Sequence, residues 1–467
     1  MEKLNNIVML TDSYKIGHHN MYLDGTEKVY SYFEARKGAK FNETVFFGLQ
    51  YILKNYFEGV VVTKEKIDEA EKFCEFHFGN KNIFKRERWD YIIEKHGGKL
   101  PIKIKAVPEG SRIPIDNVMM TVENTDPNCC WLTNHCETIL THVWQGCNVA
   151  TISYEIKKLF KTYLNYTCDE GENFAGINFM LHDFGFRGTS SIESAAIGGS
   201  GHLINFMGTD TIIAPVMIKE FYNNGNYPNA FSVAATEHSI MTSKGKEGEA
   251  EVIEHIIDNY PDGILSVVSD SYNIYRCVED IYGEQFKHKI LARNGKFVVR
   301  PDSGDPVEVM CKVIEILGKK FGYTINKKGY KILNPKVGII WGDGIDYEGI
   351  RNVLEAIMKL GWSVENCVFG MGGGLLQKHN RDTQRFAFKC SAQFRDGKWV
   401  DVYKDPIDGS KASKRGRLKL IRESARIYKT VDINYDCVEN DVLKTVFENG
   451  QMINEINDWN DVINANV

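Results

Sequence analysis

The sequence predicts an α/β protein of two domains whose larger part is a (β/α) barrel, on three observations. At 467 residues the chain exceeds what a single core usually organises, while a barrel alone takes roughly 250. In its second part a short apolar, β-rich run repeatedly ends in a polar turn bearing Gly or Asp, and helix-forming sequence follows. These runs are continuously apolar, which implies burial on both faces, and polar residues gather at their C-terminal ends, where barrels carry their sites. A doubly wound sheet satisfies the same pattern and is the structural competitor.

Taken in order, the first 130 residues read as mixed α/β. Residues 28–36 (KVYSYFEAR) and 102–114 (IKIKAVPEGSRIP) alternate like strands, whereas 63–78 (TKEKIDEAEKFCEFHF) has helical spacing. Residues 132–146 and 153–166 place apolar side chains three and four apart and read as connecting helices. Seven strand-plus-turn units follow: FMLHDFGFRG, the GTDT turn after HLINFM, NAFSVAATEHS, GILSVVSDSYN, KFVVRPDSGD, KVGIIWGDGID and NCVFGMGGG. Their spacing, mostly about 25 to 40 residues, suits a strand and a helix per unit. Between Lys378 and Leu420 twelve Lys/Arg stand against five Asp/Glu, interleaved with strand-like FAFKCSAQF and KWVDVYK. That excess attracts phosphates, although a solvated basic face has the same composition. There is no internal repeat and no low-complexity tract.

Composition narrows the class. With 43% hydrophobic and 25% charged residues the chain is an ordinary globular one, and a net charge of -5 argues against a dedicated nucleic-acid binder. Eleven cysteines without a C-x-x-C pair indicate neither a zinc knuckle nor a disulfide framework, and fit reduced thiols in the cytoplasm. The N-terminal MEKLNNIVMLTDSYK lacks a signal-peptide pattern, and no apolar run approaches about 18 residues, so no membrane association is expected.

The candidate chemistry lies at the strand ends. Arg300-Pro-Asp302-Ser-Gly-Asp305 offers a guanidinium for oxyanions and carboxylates for ribose hydroxyls or Mg²⁺; an Asp-Ser-Gly turn with an ion pair reads the same way. Gly342-Asp343-Gly344 and the glycines from Gly370 to Gly374, among them Gly372 and Gly373, free backbone N–H groups to approach a phosphate. His238 follows Glu237 at one strand end and Asp270 ends the next. A carboxylate bonded to one imidazole nitrogen makes the other a better nucleophile or base, but a satisfied structural histidine fits the spacing equally. Phe184 and Phe186 lie in His182-Asp-Phe184-Gly-Phe186-Arg187, and Asp210 in the GTDT turn. Aromatic rings stack on flat ligands and a carboxylate accepts an amide N–H, while core packing is the plainer reading of both phenylalanines.

In order and spacing, TDSYK, YSYFEAR, LHDFGFRG, GTDT, TEHS, SVVSDSY, RPDSG, GDG, GGGLLQK, FKCS, YKDP and SKRGRLKL resemble the nicotinamide phosphoribosyltransferases essentially end to end. The resemblance implies an incomplete (β/α) barrel as catalytic domain over 146–384, and an α/β sandwich domain built from both termini, 1–145 and 385–467. It implies condensation of nicotinamide with 5-phosphoribosyl 1-pyrophosphate to nicotinamide mononucleotide and pyrophosphate in NAD salvage. Mg²⁺ takes part, and ATP hydrolysis is coupled through a phosphohistidine.

By the same resemblance His238 is the phosphohistidine, with Glu237 beside it and Asp270 as its orienting partner. The pyridine ring stacks between Phe184 and Tyr14, the latter supplied by a second subunit of a homodimer with active sites at the interface. Asp210 accepts the amide hydrogens and repels nicotinic acid, since two carboxylates in one pocket do not both ionise cheaply. Arg300 and Asp302 match residues at the pyridine and ribose, and Arg187, Gly342, Asp343, Gly372, Gly373 and Arg381 belong with the ribose and its phosphate. Arg36, Lys389, Lys404 and Lys414 match the cations for pyrophosphate or ATP. No direct metal ligand is assigned, Asp302 being the one candidate. Ala387 stands where a serine is usual, Phe186 replaces a tyrosine, and the stretch from Lys37 to Thr44 is short for the family.

The related nicotinate phosphoribosyltransferases are the nearest alternative, and Asp210 separates them. A catalytically silent protein on the same fold would not need His238, Asp302 and the basic residues together. A phosphosugar aldolase would want a Schiff-base lysine at a strand end, and none ends any of the seven strand candidates.

Overall fold

A computed structural model describes residues 4–405, 413–424, 426–436, 441–453 and 458–465. Pro406 of the YKDP string and Lys411 of the basic stretch lie outside the described residues. The chain divides into two compact units, one of residues 152–217 and 227–379, the other of residues 1–151, 218–226 and 380–467.

The first unit is built on seven strands: β1 (Leu181–Asp183), β2 (Gly208–Thr209), β3 (Ala234–Ala235), β4 (Leu265–Val268), β5 (Phe297–Arg300), β6 (Val337–Trp341) and β7 (Cys367–Met371). Six of them lie in the apolar runs of their strand-plus-turn strings; in the GTDT unit the expected run HLINFM instead begins as the end of the helix Ile192–Leu203, and the strand is Gly208–Thr209 inside the expected turn. All pairings are parallel, and the order across the sheet is β2-β1-β7-β6-β5-β4-β3. That order is the chain order read around a ring, whereas a doubly wound sheet reverses direction at a switch point. The competitor is thereby excluded. The ring is weakest between β2 and β3, where a single parallel bridge joins Gly208 to Phe231, carried by Thr209 N–H to Phe231 O at 2.9 Å and Phe231 N–H to Met207 O at 2.7 Å. This seam is where the barrel is incomplete.

Burial explains why the strands were legible: every residue of β4 and β6 is buried, so neither shows alternation. The turns after the strands then divide their carboxylates between structure and site. Asp305 caps the helix Pro306–Phe321, accepting from Glu308 N at 2.8 Å, and Asp346 caps Tyr347–Lys359, accepting from Gly349 N at 2.9 Å. Asp302 and Asp343, a few residues upstream, make no such cap.

The second unit holds a seven-stranded antiparallel sheet drawn from both ends of the chain. In spatial order its strands are Lys398–Asp401, Phe386–Arg395, Thr26–Ala35, Val118–Asn124, Ile102–Ala106, Lys444–Glu448 and Gln451–Met452. Phe33 stacks at 5.3 Å on Phe386, its diagonal neighbour on the adjoining strand Phe386–Arg395, in a register in which Phe33 lies opposite Phe388 and Tyr32 opposite Lys389. The segment from Lys37 to Thr44 is held by Lys40 N–H to Thr383 O at 2.9 Å and Phe41 N–H to Gln384 Oε1 at 2.9 Å. Among the described residues no helix is long and apolar enough to cross a membrane.

Candidate active site

The C-terminal ends of β3, β4, β5 and β6 bring His238, Asp270, Arg300, Asp302 and Asp343 together. Thr236, two residues before His238, is tied to β4 through its N–H on Ser266 O (3.0 Å) and its Oγ1, which accepts from Val268 N (2.9 Å). Its carbonyl accepts from Arg300 Nη2. The start of the short helix His238–Met241 is therefore anchored to two neighbouring strands.

His238 sits between two carboxylates. Its Nε2 lies 3.4 Å from Asp270 Oδ1, and its Nδ1 lies 3.6 Å from Asp302 Oδ2. Asp270 is the buried partner, its side chain 5% exposed against 31% for Asp302. Glu237 is not part of this arrangement: its Oε1 accepts from Ser239 Oγ. Burial raises the pKa of Asp302 against the pull of Arg300, and Asp270 and Asp343 push the same way as burial. Arg300 is half-buried with its Nε unpartnered, and burial lowers its pKa against the opposing effect of Asp302, Asp210 and Asp270.

The glycines of the two Gly-rich turns make room for these side chains. A Cβ on Gly342 would lie 2.8 Å from Asp302 Oδ1 and 3.0 Å from Arg300 Cδ, so only glycine lets β6 pass this close. Gly370, the last residue but one of β7, has the ring of Phe184 lying on it: a Cβ there would stand 2.0 Å from Phe184 Cε2. Phe184 is further fixed by its N–H on Met371 O at 3.1 Å. Gly372 and Gly373 open a helix of only four residues, Gly373–Leu376.

Beneath this mouth a cavity of about 500 Å³ runs into the barrel. Phe184, Asp210 and Arg300 line it, with Val298, Ile340 and Val368 deeper in. Asp210 is exposed, and its Oδ1 accepts from Ser232 Oγ at 2.6 Å. Behind it Asp183 is buried, its pKa pushed up by burial to about 6. Arg187 and Phe186 follow on an exposed turn.

Three serines at this site escaped the sequence reading. Ser232 holds Asp210, Ser303 donates to Asp270 Oδ2, and Ser266 Oγ is buried without a partner in the cavity wall. Ser266 carried a signal, being the one polar residue inside LSVV. The other two carried none, because their partners are 22 and 33 residues away.

The remaining predicted residues belong to the other unit. Lys389 lies on the strand Phe386–Arg395, and partial desolvation together with Arg36, Lys404 and Arg381 lowers its pKa, Glu137 opposing. Arg36 Nε also donates to Arg385 O at 3.1 Å. Lys414 differs: its Nζ donates to Glu34 Oε2 and, at 2.9 Å, to Asp116 Oδ1, and those two carboxylates raise its pKa against burial. Tyr14 stands on the 3-10 helix Ser13–Asn20 with 62% of its surface exposed, beside His18. Ala387 is buried opposite Glu34 in the sheet.

The nicotinate phosphoribosyltransferase (NAPRTase) family model matches residues 179–451, and the model of the nicotinamide phosphoribosyltransferase N-terminal domain matches residues 6–104. A nicotinamide phosphoribosyltransferase of Xanthomonas campestris pv. campestris (strain 8004) is 44% identical over 464 residues, covering 97% of each chain. One of Acinetobacter baylyi is 34% identical over 480 residues, covering 94% of this chain and 93% of its own. The crystal structure of nicotinate-nucleotide pyrophosphorylase from Pyrococcus furiosus superposes with a TM-score of 0.62 over 99% of this chain and 95% of the other. At 16% identity that likeness establishes the fold alone.

Proposed function

The chain belongs to the nicotinate phosphoribosyltransferase family, and we propose that within it the chain condenses nicotinamide with 5-phosphoribosyl 1-pyrophosphate. The products are nicotinamide mononucleotide and pyrophosphate, so the enzyme is a pentosyltransferase of cytoplasmic NAD salvage. The observation that carries the choice of amide is Asp210 at the mouth of the cavity, beside Phe184 and Arg300. Ser232 occupies only one of its oxygens, leaving acceptor capacity for an amide N–H, whereas a second carboxylate would meet a like charge.

In the proposed reaction the C1–O bond of the donor breaks, pyrophosphate departs with the bonding pair, and the pyridine nitrogen forms the new bond to the oxocarbenium-like carbon from the opposite face. Little acid–base work is required. The protein's contribution is to hold the ring near C1 by stacking on Phe184, to bind the ribose and its phosphate through Arg300, Asp302, Asp343 and the Gly342 and Gly372 turns, and to gather the leaving group with cations. Those cations are Lys389, Arg36, Lys404 and Arg381. With Tyr14 they are supplied largely by the second subunit of a homodimer. Mg²⁺ prefers hard oxygen ligands and retains several waters. Asp302, its side chain partly open, offers such an oxygen, and the bound ion would neutralise charge on the departing pyrophosphate.

ATP enters through His238. The buried Asp270 faces Nε2 and would keep the proton there, leaving the Nδ1 lone pair on the more open side. Attack by Nδ1 on the γ-phosphorus forms an N–P bond and breaks the β,γ-anhydride, releasing ADP. The phosphoryl oxygens then tighten the donor complex. Incubation with nicotinamide, donor and Mg²⁺, with and without ATP, tests this: mononucleotide should form and ATP should accelerate it. With equimolar nicotinic acid present, preference for the acid would overturn the assignment.

A further inference from the structure

We propose that Ser303 is a positioning residue for the ATP-dependent half of the reaction, acting by selecting which oxygen of Asp270 faces His238. The inference rests on the reading of His238 as the phosphorylated group.

A carboxylate has two chemically equivalent oxygens, and a buried one has no bulk water to tell them apart. At Asp270 the protein separates them. Oδ2 accepts from the N–H of Asp302 at 3.1 Å and from the hydroxyl of Ser303. Oδ1 is buried, has no hydrogen-bond partner, and lies 3.4 Å from His238 Nε2. Two donors on one oxygen thus hold the side-chain torsion and leave the second oxygen for the imidazole N–H alone. A histidine poised as a phosphate acceptor needs such a restraint, because the tautomer is set by the bond at the opposite nitrogen.

The turn is shaped to deliver that hydroxyl. Gly304 adopts φ +94, a conformation that side chains disfavour, and brings the chain round between Asp302 and the helix cap Asp305. The cap is made by Asp305, so Ser303 is not needed to start the helix. Ser303 is exposed, and its hydroxyl is directed at a side chain 33 residues earlier. An exposed serine in a turn whose hydroxyl serves a buried carboxylate on the neighbouring strand has an orienting role and little packing role.

The experiment compares the wild-type protein with Ser303→Ala, Ser303→Thr, Asp270→Asn and the double variant Ser303→Ala/Asp270→Asn. Two readouts are taken: the rate of acid-labile labelling from γ-³²P-ATP, and the ratio of mononucleotide synthesis with ATP to synthesis without it. Ser303→Ala should slow labelling about fivefold to tenfold, as expected for one lost charge-assisted hydrogen bond, with KM for ATP moving less than about twofold. Ser303→Thr, which keeps the hydroxyl, should restore most of the rate. Because Ser303 acts through Asp270, adding Ser303→Ala to Asp270→Asn should cause no further loss. Full wild-type labelling in Ser303→Ala, or losses that multiply in the double variant, would overturn the positioning role while leaving His238 intact as acceptor. Absence of any acid-labile label on the wild-type protein would instead remove the phosphohistidine reading, and this inference with it.

Discussion

The mouth of the barrel and the cationic strand of the terminal unit handle charge in opposite ways. At the barrel, carboxylates predominate but three of them have countering contacts: Asp270 takes two donors, Asp210 takes Ser232, and Asp302 feels both Arg300 and His238. On the strand, Lys389 has Arg36, Lys404 and Arg381 as its electrostatic surroundings, opposed by Glu137. The sheet is able to pair a lysine when pairing is the aim, since Lys414 is enclosed by Glu34 and Asp116. Like charges left facing one another weaken a fold. Lys389 thus keeps cationic neighbours, whereas Lys414 is neutralised within the sheet.

The strongest way to break this comparison lies at the barrel. His238→Ala should abolish ATP stimulation altogether and leave weak, ATP-independent synthesis; undiminished stimulation in that variant would end the assigned role. Next come the two lysines. Lys389→Met should raise KM for the phosphoribosyl donor by about 10- to 100-fold, the loss of one charge-assisted contact to a phosphate-bearing ligand. Lys414→Met strands the nearly fully buried Glu34, while Asp116 keeps Lys37, and should cost about 3 kcal/mol of stability with a much smaller change in KM. Denaturant titration beside donor kinetics checks both, and a reversed pattern would show that the lysines were assigned the wrong way round. A smaller effect is expected of Asp210→Asn, which removes the like charge facing nicotinic acid. The preference for amide over acid should narrow about tenfold, read from competing substrates.

The smallest effect is in pH, and its sign differs for the two lysines. Lys414 has a pKa above the ordinary 10.5, so its contribution is complete below 10.5 and is lost as pH rises through the higher folded value. The pKa of Lys389 is below 10.5, so its charged form burdens the fold at neutral pH and that burden lifts as pH rises from the lowered value towards 10.5. Melting curves from pH 8 upward should therefore show Lys389→Met slightly more stable than wild type, with the gap closing at alkaline pH. The deficit of Lys414→Met should persist to higher pH before it shrinks.

Much of the barrel was legible because its signal is local. A buried parallel strand is a short apolar run, and the turn after it is polar, so even β3, two residues long, was found through its TEHS turn, whereas β2 was placed one segment too early, in HLINFM, because the end of a buried helix is as apolar as a strand. The position of the carboxylates at strand ends followed from the same pattern. What adjacency in the chain does not report is direction: at the head of the helix Glu237 accepts from Ser239, and the imidazole of His238 meets Asp270 and Asp302 from the ends of other strands. The segment Cys277–Gln285, a π-helix that brings Tyr282 OH to within 3.1 Å of Ser269 Oγ, left no mark in the periodicity.

The order of apolar runs and turns, by itself, determined that this chain folds around a parallel barrel and which residues stand at its rim, because strand burial and turn chemistry are properties of neighbours in sequence. Which of those residues carry free charge was decided only in three dimensions. Lys389 and Lys414 look alike in a basic stretch, but the carboxylates that neutralise Lys414 come from 380 and 298 residues away, and the oxygen of Asp270 that faces His238 is chosen by a serine in the turn after the next strand. Electrostatic partnership depends on distance through space, and distance along the chain does not report it.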